Sequence, residues 1–170
     1  MSLRKPQDIP KIPKTRKKKP HAALEAIPTK KPDKLEYICK AFYKYDLTIK
    51  KQYCVFAIET VVEFTNFAYE VSVEVIKEKN VIDLVLMGLR AKPNVVPQIQ
   101  PARKELLFED LIGDYTVNVV KQDGAINTGE YHFNIFKKEI LLMKQYKPKK
   151  KNNRLFCNFE VAEDNFTFPE

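Results

Sequence analysis

FAYEVSVEVIK, residues 67–77, alternates strictly, with Phe67, Tyr69, Val71, Val73 and Val75 on one face and Glu70, Ser72 and Glu74 on the other. A two-residue period places successive side chains on opposite faces of a pleated strand, so this stretch predicts a half-buried β-strand. On either side the pattern changes from alternating to apolar residues on both faces. YCVFAIETVVEF (53–64) and NVIDLVLMGLR (80–90) carry β-branched and large apolar residues at neighbouring positions, as strands covered on both faces do. Thr65-Asn66 and Lys79-Asn80 separate the three runs and read as turns.

Further strands are expected over LEYICKAFYKYD (35–46), YTVNVVKQ (115–122), EYHFNIFKK (130–138), ILLMKQY (140–146) and RLFCNFEV (154–161). Between the second and third of these, Asp123-Gly124 and Asn127 to Gly129 are expected to supply the positive-φ positions of a hairpin. PARKELLFEDL (101–111) reads two ways: Pro101 suits the first turn of a helix, while ELLF suits a short strand. Seven or eight strands with almost no helix predict an all-β domain over residues 35–170, a sandwich or barrel.

LIGDYTVNV (111–119) resembles the corner that leads into the penultimate strand of immunoglobulin-like and fibronectin type III sandwiches. The resemblance covers nine residues. It implies an immunoglobulin-like antiparallel β-sandwich, a corner tyrosine at Tyr115 whose hydroxyl bonds upstream backbone, and Val117 and Val119 in the core. The chain has no Trp for the usual core position and no cysteine pair at intersheet spacing, which excludes an antibody-type domain. By analogy the fold implies binding or scaffolding.

Charge divides the chain. Residues 1–34 hold 11 Lys and Arg against 3 acids, a balance of +8, and residues 35–170 hold 19 against 19, so the whole net charge of +8 belongs to the first segment. That segment also holds six of the eleven prolines and no Phe, Tyr or Trp. Proline removes backbone donors, and without large apolar groups nothing offsets chain entropy, so residues 1–34 read as an extended tail with at most one helical turn near Ala22 to Ala26. A neutral body joined to a cationic arm is the pattern of an electrostatic tether, which gains affinity by releasing counterions from a polyanion.

The candidate phosphate-gripping residues of the arm are Lys11, Lys14, Arg16, Lys17, Lys18, Lys19, Lys30 and Lys31. A second cluster, KPKKKNNR, adds Lys147, Lys149, Lys150, Lys151 and Arg154 in a loop between two expected strands. Alone it is an exposed connection; with the arm it forms a two-point clamp, because linked weak contacts reinforce one another. The arm has no aromatic residues, so it would hold phosphates without reading bases.

The partner expected is therefore an anionic macromolecule, RNA in a ribonucleoprotein, with the β domain contacting protein subunits of a larger complex. The alternative is a protein-interaction module whose β domain docks a partner, the tail acting as linker, targeting signal or ligand of an acidic protein. KTRKKK (14–19) also resembles a nuclear localisation signal.

Catalytic signatures are absent. The four glycines form no phosphate loop, and neither GxSxG nor HExxH occurs. Cys39, Cys54 and Cys157 are odd in number with no CxxC spacing, and His21 and His132 are the only histidines, so no disulfide framework, metal centre or cofactor is expected. No run of about 20 apolar residues spans a bilayer, and the Lys- and Pro-rich start is unlike a secretory signal. The expectation is a non-enzymatic intracellular protein, cytoplasmic or, in a eukaryote, nuclear, with no small-molecule substrate.

Overall fold

A computed structural model describes residues 32–170 apart from 94, 97 and 151. The tail cations from Lys11 to Lys31, the helical turn expected near Ala22 and the side chain of Lys151 lie outside the described residues. Nine strands follow in chain order: β1 (Tyr37–Asp46), β2 (Lys51–Phe64), β3 (Tyr69–Glu78), β4 (Val81–Ala91), β5 (Gln100–Phe108), β6 (Gly113–Val120), β7 (Ile126–Asn134), β8 (Glu139–Gln145) and β9 (Cys157–Val161). A single 3₁₀ turn, Glu163–Asn165, is the only helical element among the described residues.

The all-β expectation holds, and the architecture is one sheet in the order β8-β7-β6-β4-β3-β5-β2-β1-β9. It is mixed: β4 runs parallel to β6, with Val81 to Val85 opposite Thr116 to Val120. β1 likewise runs parallel to β9, with Tyr37 to Ala41 opposite Cys157 to Val161. The sheet rolls until its two edges meet. Gln145 of β8 donates to Asn158 of β9 at 3.3 Å, and Tyr131 of β7 packs edge-on against Phe159 of β9 with ring centroids 6.2 Å apart. No backbone ladder joins β8 to β9, so the barrel is nearly, and not fully, closed.

Alternation fills the interior. Ile82, Leu84 and Leu86 of β4, Val117 and Val119 of β6, and Tyr131 and Phe133 of β7 are all buried in one core with Phe56, Ile58 and Phe159. β2 is buried continuously from Cys54 to Thr60. A smaller cluster of Phe42, Val55 and Ala57 covers its other face, together with Phe166 from the chain beyond β9, as apolar residues at consecutive positions from Cys54 to Ile58 require. β4 differs from that expectation: only alternate residues are buried, and Met87 and Leu89 face outward. Within 67–77, Val71 is fully buried but Val75 and Phe67 are exposed, because β3 begins at Tyr69 and its far end projects beyond the core.

Residues 100–108 form a strand, resolving the two readings of that segment. β2 and β5 shift register between Glu59 and Glu63, and the Thr60 hydroxyl accepts from Ala102 N at 2.9 Å, supplying a partner at the irregularity. The Lys79-Asn80 turn and the Asp123-Gly124 turn form where expected, with Lys79 at φ 50° and Gly124 at φ 87°. Asn127 to Gly129, however, lie inside β7 and not in the turn. Gly129 is selected there by space: a Cβ would stand 2.9 Å from the Phe159 ring.

Of the features implied by the resemblance at 111–119, Val117 and Val119 are fully buried, and the Tyr115 ring packs edge-on against Phe133 at 5.8 Å. Three strands follow β6, so it is not penultimate, and nine strands in one rolled sheet replace the expected seven or eight.

Candidate functional site

The described part of the second basic cluster lies on the connection from β8 to β9. Tyr146 continues β8 by donating its backbone N–H to Thr128 O at 2.9 Å, after which Lys147 to Lys150, with Asn152 and Asn153, lie beside outward-facing residues of β6 and β7. Asn153 anchors this connection. Its side chain accepts from Ile126 N at 2.9 Å and from Arg154 N at 2.9 Å, and donates to Ile126 O at 2.7 Å. It thus mimics a ladder partner at the start of β7. A turn closed by Asn153 N donating to Lys150 O at 3.1 Å shapes the loop.

Between loop and sheet lies an open groove of about 630 Å³. Its floor is Thr116 of β6 with Ile126, Thr128 and Glu130 of β7, and its rim is Tyr146, Lys147, Pro148, Lys149, Lys150 and Asn152. Outward-facing positions of adjacent strands supply the floor: Thr116 lies opposite Glu130 in the β6–β7 register, and Glu130 lies opposite Lys144 in the β7–β8 register. Among the described residues, no carboxylate lies within ion-pair distance of Lys147, Lys149 or Lys150.

Glu130 is the acid of the floor. The Tyr146 hydroxyl donates to its Oε1 at 2.6 Å, and Lys144, the cation directly across from it, turns its ammonium over the Tyr146 ring at 4.2 Å from the centroid. Among the described residues no cation stands within 4.0 Å of the Glu130 carboxylate.

Arg154 is placed differently from the lysines. It is 8% exposed, stacks its guanidinium over Phe156 at 5.7 Å and bonds Glu36 at 3.2 Å. Lys121 reaches the same Glu36 oxygen. Burial raises the Glu36 carboxyl, but the hydrogen bonds and charges of Lys121 and Arg154 outweigh it and hold the group below its ordinary pKa. Arg154 thereby fastens the start of β9 to the chain ahead of β1, where Lys34 N donates to Leu155 O at 3.0 Å and Leu155 N donates to Asp33 Oδ1 at 2.9 Å.

The structure therefore brings together Lys147, Lys149 and Lys150, and turns Arg154 inward. Thr116, Thr128, Glu130 and Tyr146 were missed in the sequence, because they converge only through the β6–β7–β8 register.

The cysteines line the interior. Cys39, Cys54 and Cys157 are free and buried, and burial pushes the Cys157 thiol up to about 12 and raises the other two well above the ordinary thiol value. Protonated, enclosed thiols are poor nucleophiles and poor metal ligands. His132 faces outward and meets Asp114 at 2.6 Å. No cluster of metal-ligating side chains occurs among the described residues, and no helix among them is long and apolar enough to cross a membrane.

No protein-family model matches the chain, and no curated protein or solved structure matches it either.

Proposed function

We propose that this protein is a non-catalytic subunit of a larger assembly that binds RNA through phosphate contacts at two places, the cations of residues 11–31 and the lysines of the 147–150 loop. The observation that carries the reading is the division of charge: +8 in residues 1–34 against zero in residues 35–170. The loop supports it. Three lysines without described carboxylate partners stand on one rim of one groove, where phosphates along a strand can be met together. A coupled pair of weak sites on one chain gains from effective concentration.

The test is RNA retention as salt rises from about 50 to 200 mM, comparing the full chain with a variant in which Lys14, Arg16, Lys17, Lys18 and Lys19 are changed to Gln. The wild type is expected to lose affinity steeply with salt, and the variant to bind more weakly with a shallower dependence. Absence of RNA binding by the wild type at low salt would sink the reading.

That result would favour the second reading, a protein-docking module. Its support is β8, which ends the sheet with no backbone ladder to β9 and leaves Leu141 and Met143 42% and 61% exposed. A relation to immunoglobulin-like sandwiches belongs here as well. The inward Val117 and Val119 support it, and the parallel β1–β9 and β4–β6 pairs weigh against it.

A further inference from the structure

The basic groove holds an acid that a simple phosphate grip has no use for. Resting on the RNA-binding reading above, we propose that the groove over β6 and β7 is a single-stranded RNA site in which Lys147, Lys149 and Lys150 hold phosphates and Glu130 accepts hydrogen bonds from the Watson–Crick edge of a guanine.

Glu130 is held in place and left available. Tyr146 donates to Oε1 at 2.6 Å, which fixes the carboxylate and leaves Oε2 and the remaining lone pairs of Oε1 as acceptors. Lys144 is the natural neutralising partner by register, yet its ammonium lies over the Tyr146 ring. The floor thus presents a preorganised acceptor below a cationic rim.

That arrangement selects among polyanions. An acidic peptide would meet the Glu130 carboxylate with its own like charges. A duplex would bring phosphates to the lysines, but the Watson–Crick donors of its bases are already paired. A single strand brings both parts: phosphates for the rim, and splayed bases whose edges are free to bond. Among the bases, guanine offers two adjacent donors, N1–H and N2–H₂, which match the two oxygens of a carboxylate. Adenine and cytosine present one amino group on that edge beside an acceptor nitrogen, which would face the carboxylate unfavourably.

The experiment measures binding of full-length protein to labelled uridine-rich ten-nucleotide RNAs carrying a central G or a central A, at low salt, with the G-containing duplex and polyglutamate as competitors. The wild type is expected to prefer the G strand roughly tenfold. Glu130→Gln should bring the ratio of G to A affinity close to one, through loss of affinity for the G strand. Lys147→Gln, Lys149→Gln and Lys150→Gln combined should lower both affinities alike and preserve the ratio. Tyr146→Phe, which frees Glu130 while keeping the ring, should reduce the ratio without abolishing it.

RNA retained with equal affinity for G and A strands would overturn this inference and leave the RNA-binding reading standing. So would competition by duplex as effective as by single strand. No RNA retained at low salt, or displacement by polyglutamate as effective as by RNA, would remove the reading and the inference together.

Discussion

Gly129 of β7 faces the ring of Phe159 of β9 across the barrel interior. With 2.9 Å between a hypothetical Cβ and ring atoms Cγ and Cδ1, an alanine cannot fit without moving the ring. Phe159 is hemmed in by Tyr131, so the strain does not dissipate cheaply. Gly129→Ala is expected to destabilise the fold by about 1–3 kcal/mol, read as a lower denaturant midpoint, and Phe159→Leu in the same chain should recover part of the loss. A neutral Gly129→Ala would mean that β9 does not pack on β7 as described. In sequence this glycine reads as a turn residue, since Asn-Thr-Gly carries the composition of a turn. What selects it is a contact with a residue thirty positions later, which no local pattern encodes.

At the scale of elements, the same misreading conceals Asn127. It is 1% exposed in the interior-facing row of β7. Its amide oxygen accepts from Phe156 N at 2.9 Å and from Cys157 N at 2.8 Å, and its nitrogen donates to Arg154 O at 2.9 Å. One side chain therefore satisfies the backbone at the start of β9 and sets where that strand begins. Leucine has a similar shape but strands two buried N–H groups, each worth about 1–3 kcal/mol when unsatisfied, so Asn127→Leu is expected to cost about 2–6 kcal/mol. Amide exchange at Phe156 and Cys157 should quicken well before exchange in β2. Equal protection of those amides in the variant would disprove the role. Strands with a clean period, such as β3 and β6, were legible because a solvent face and a core face impose alternation. PARKELLFEDL (101–111) read two ways because Pro101 suits the first turn of a helix while ELLF suits a strand, and what makes 100–108 a strand is its pairing with β2, which no local pattern encodes. The lysine loop was legible as charge, and its groove was not, because Glu130 meets Tyr146 only once β7 and β8 have paired in register.

For the whole molecule, the sheet order was beyond reach of sequence, since β1 pairs with a strand more than a hundred residues later and no local signal names that partner. The junction it creates is electrostatic. Glu36 ahead of β1, Lys121 after β6 and Arg154 ahead of β9 meet at a single carboxylate, tying together both sides of the rolled sheet. Because Glu36 sits below its ordinary pKa in the fold, the unfolded chain takes up its proton first as pH falls, at about 4.3. The stability contributed by this group is thus complete above that value and lost as pH drops through the lower folded pKa. Glu105 adds in the same direction: burial raises its carboxyl, but Lys44 and Arg103 outweigh that and lower it. Unfolding midpoints measured between about pH 7 and 3 should therefore decline on the acid side. Glu36→Gln should lower the plateau near neutrality and flatten the decline, because the variant has no proton to take up at that junction. An unchanged acid slope in Glu36→Gln would mean that the carboxylate does not hold the β1 and β9 ends together, and that their parallel ladder alone does so.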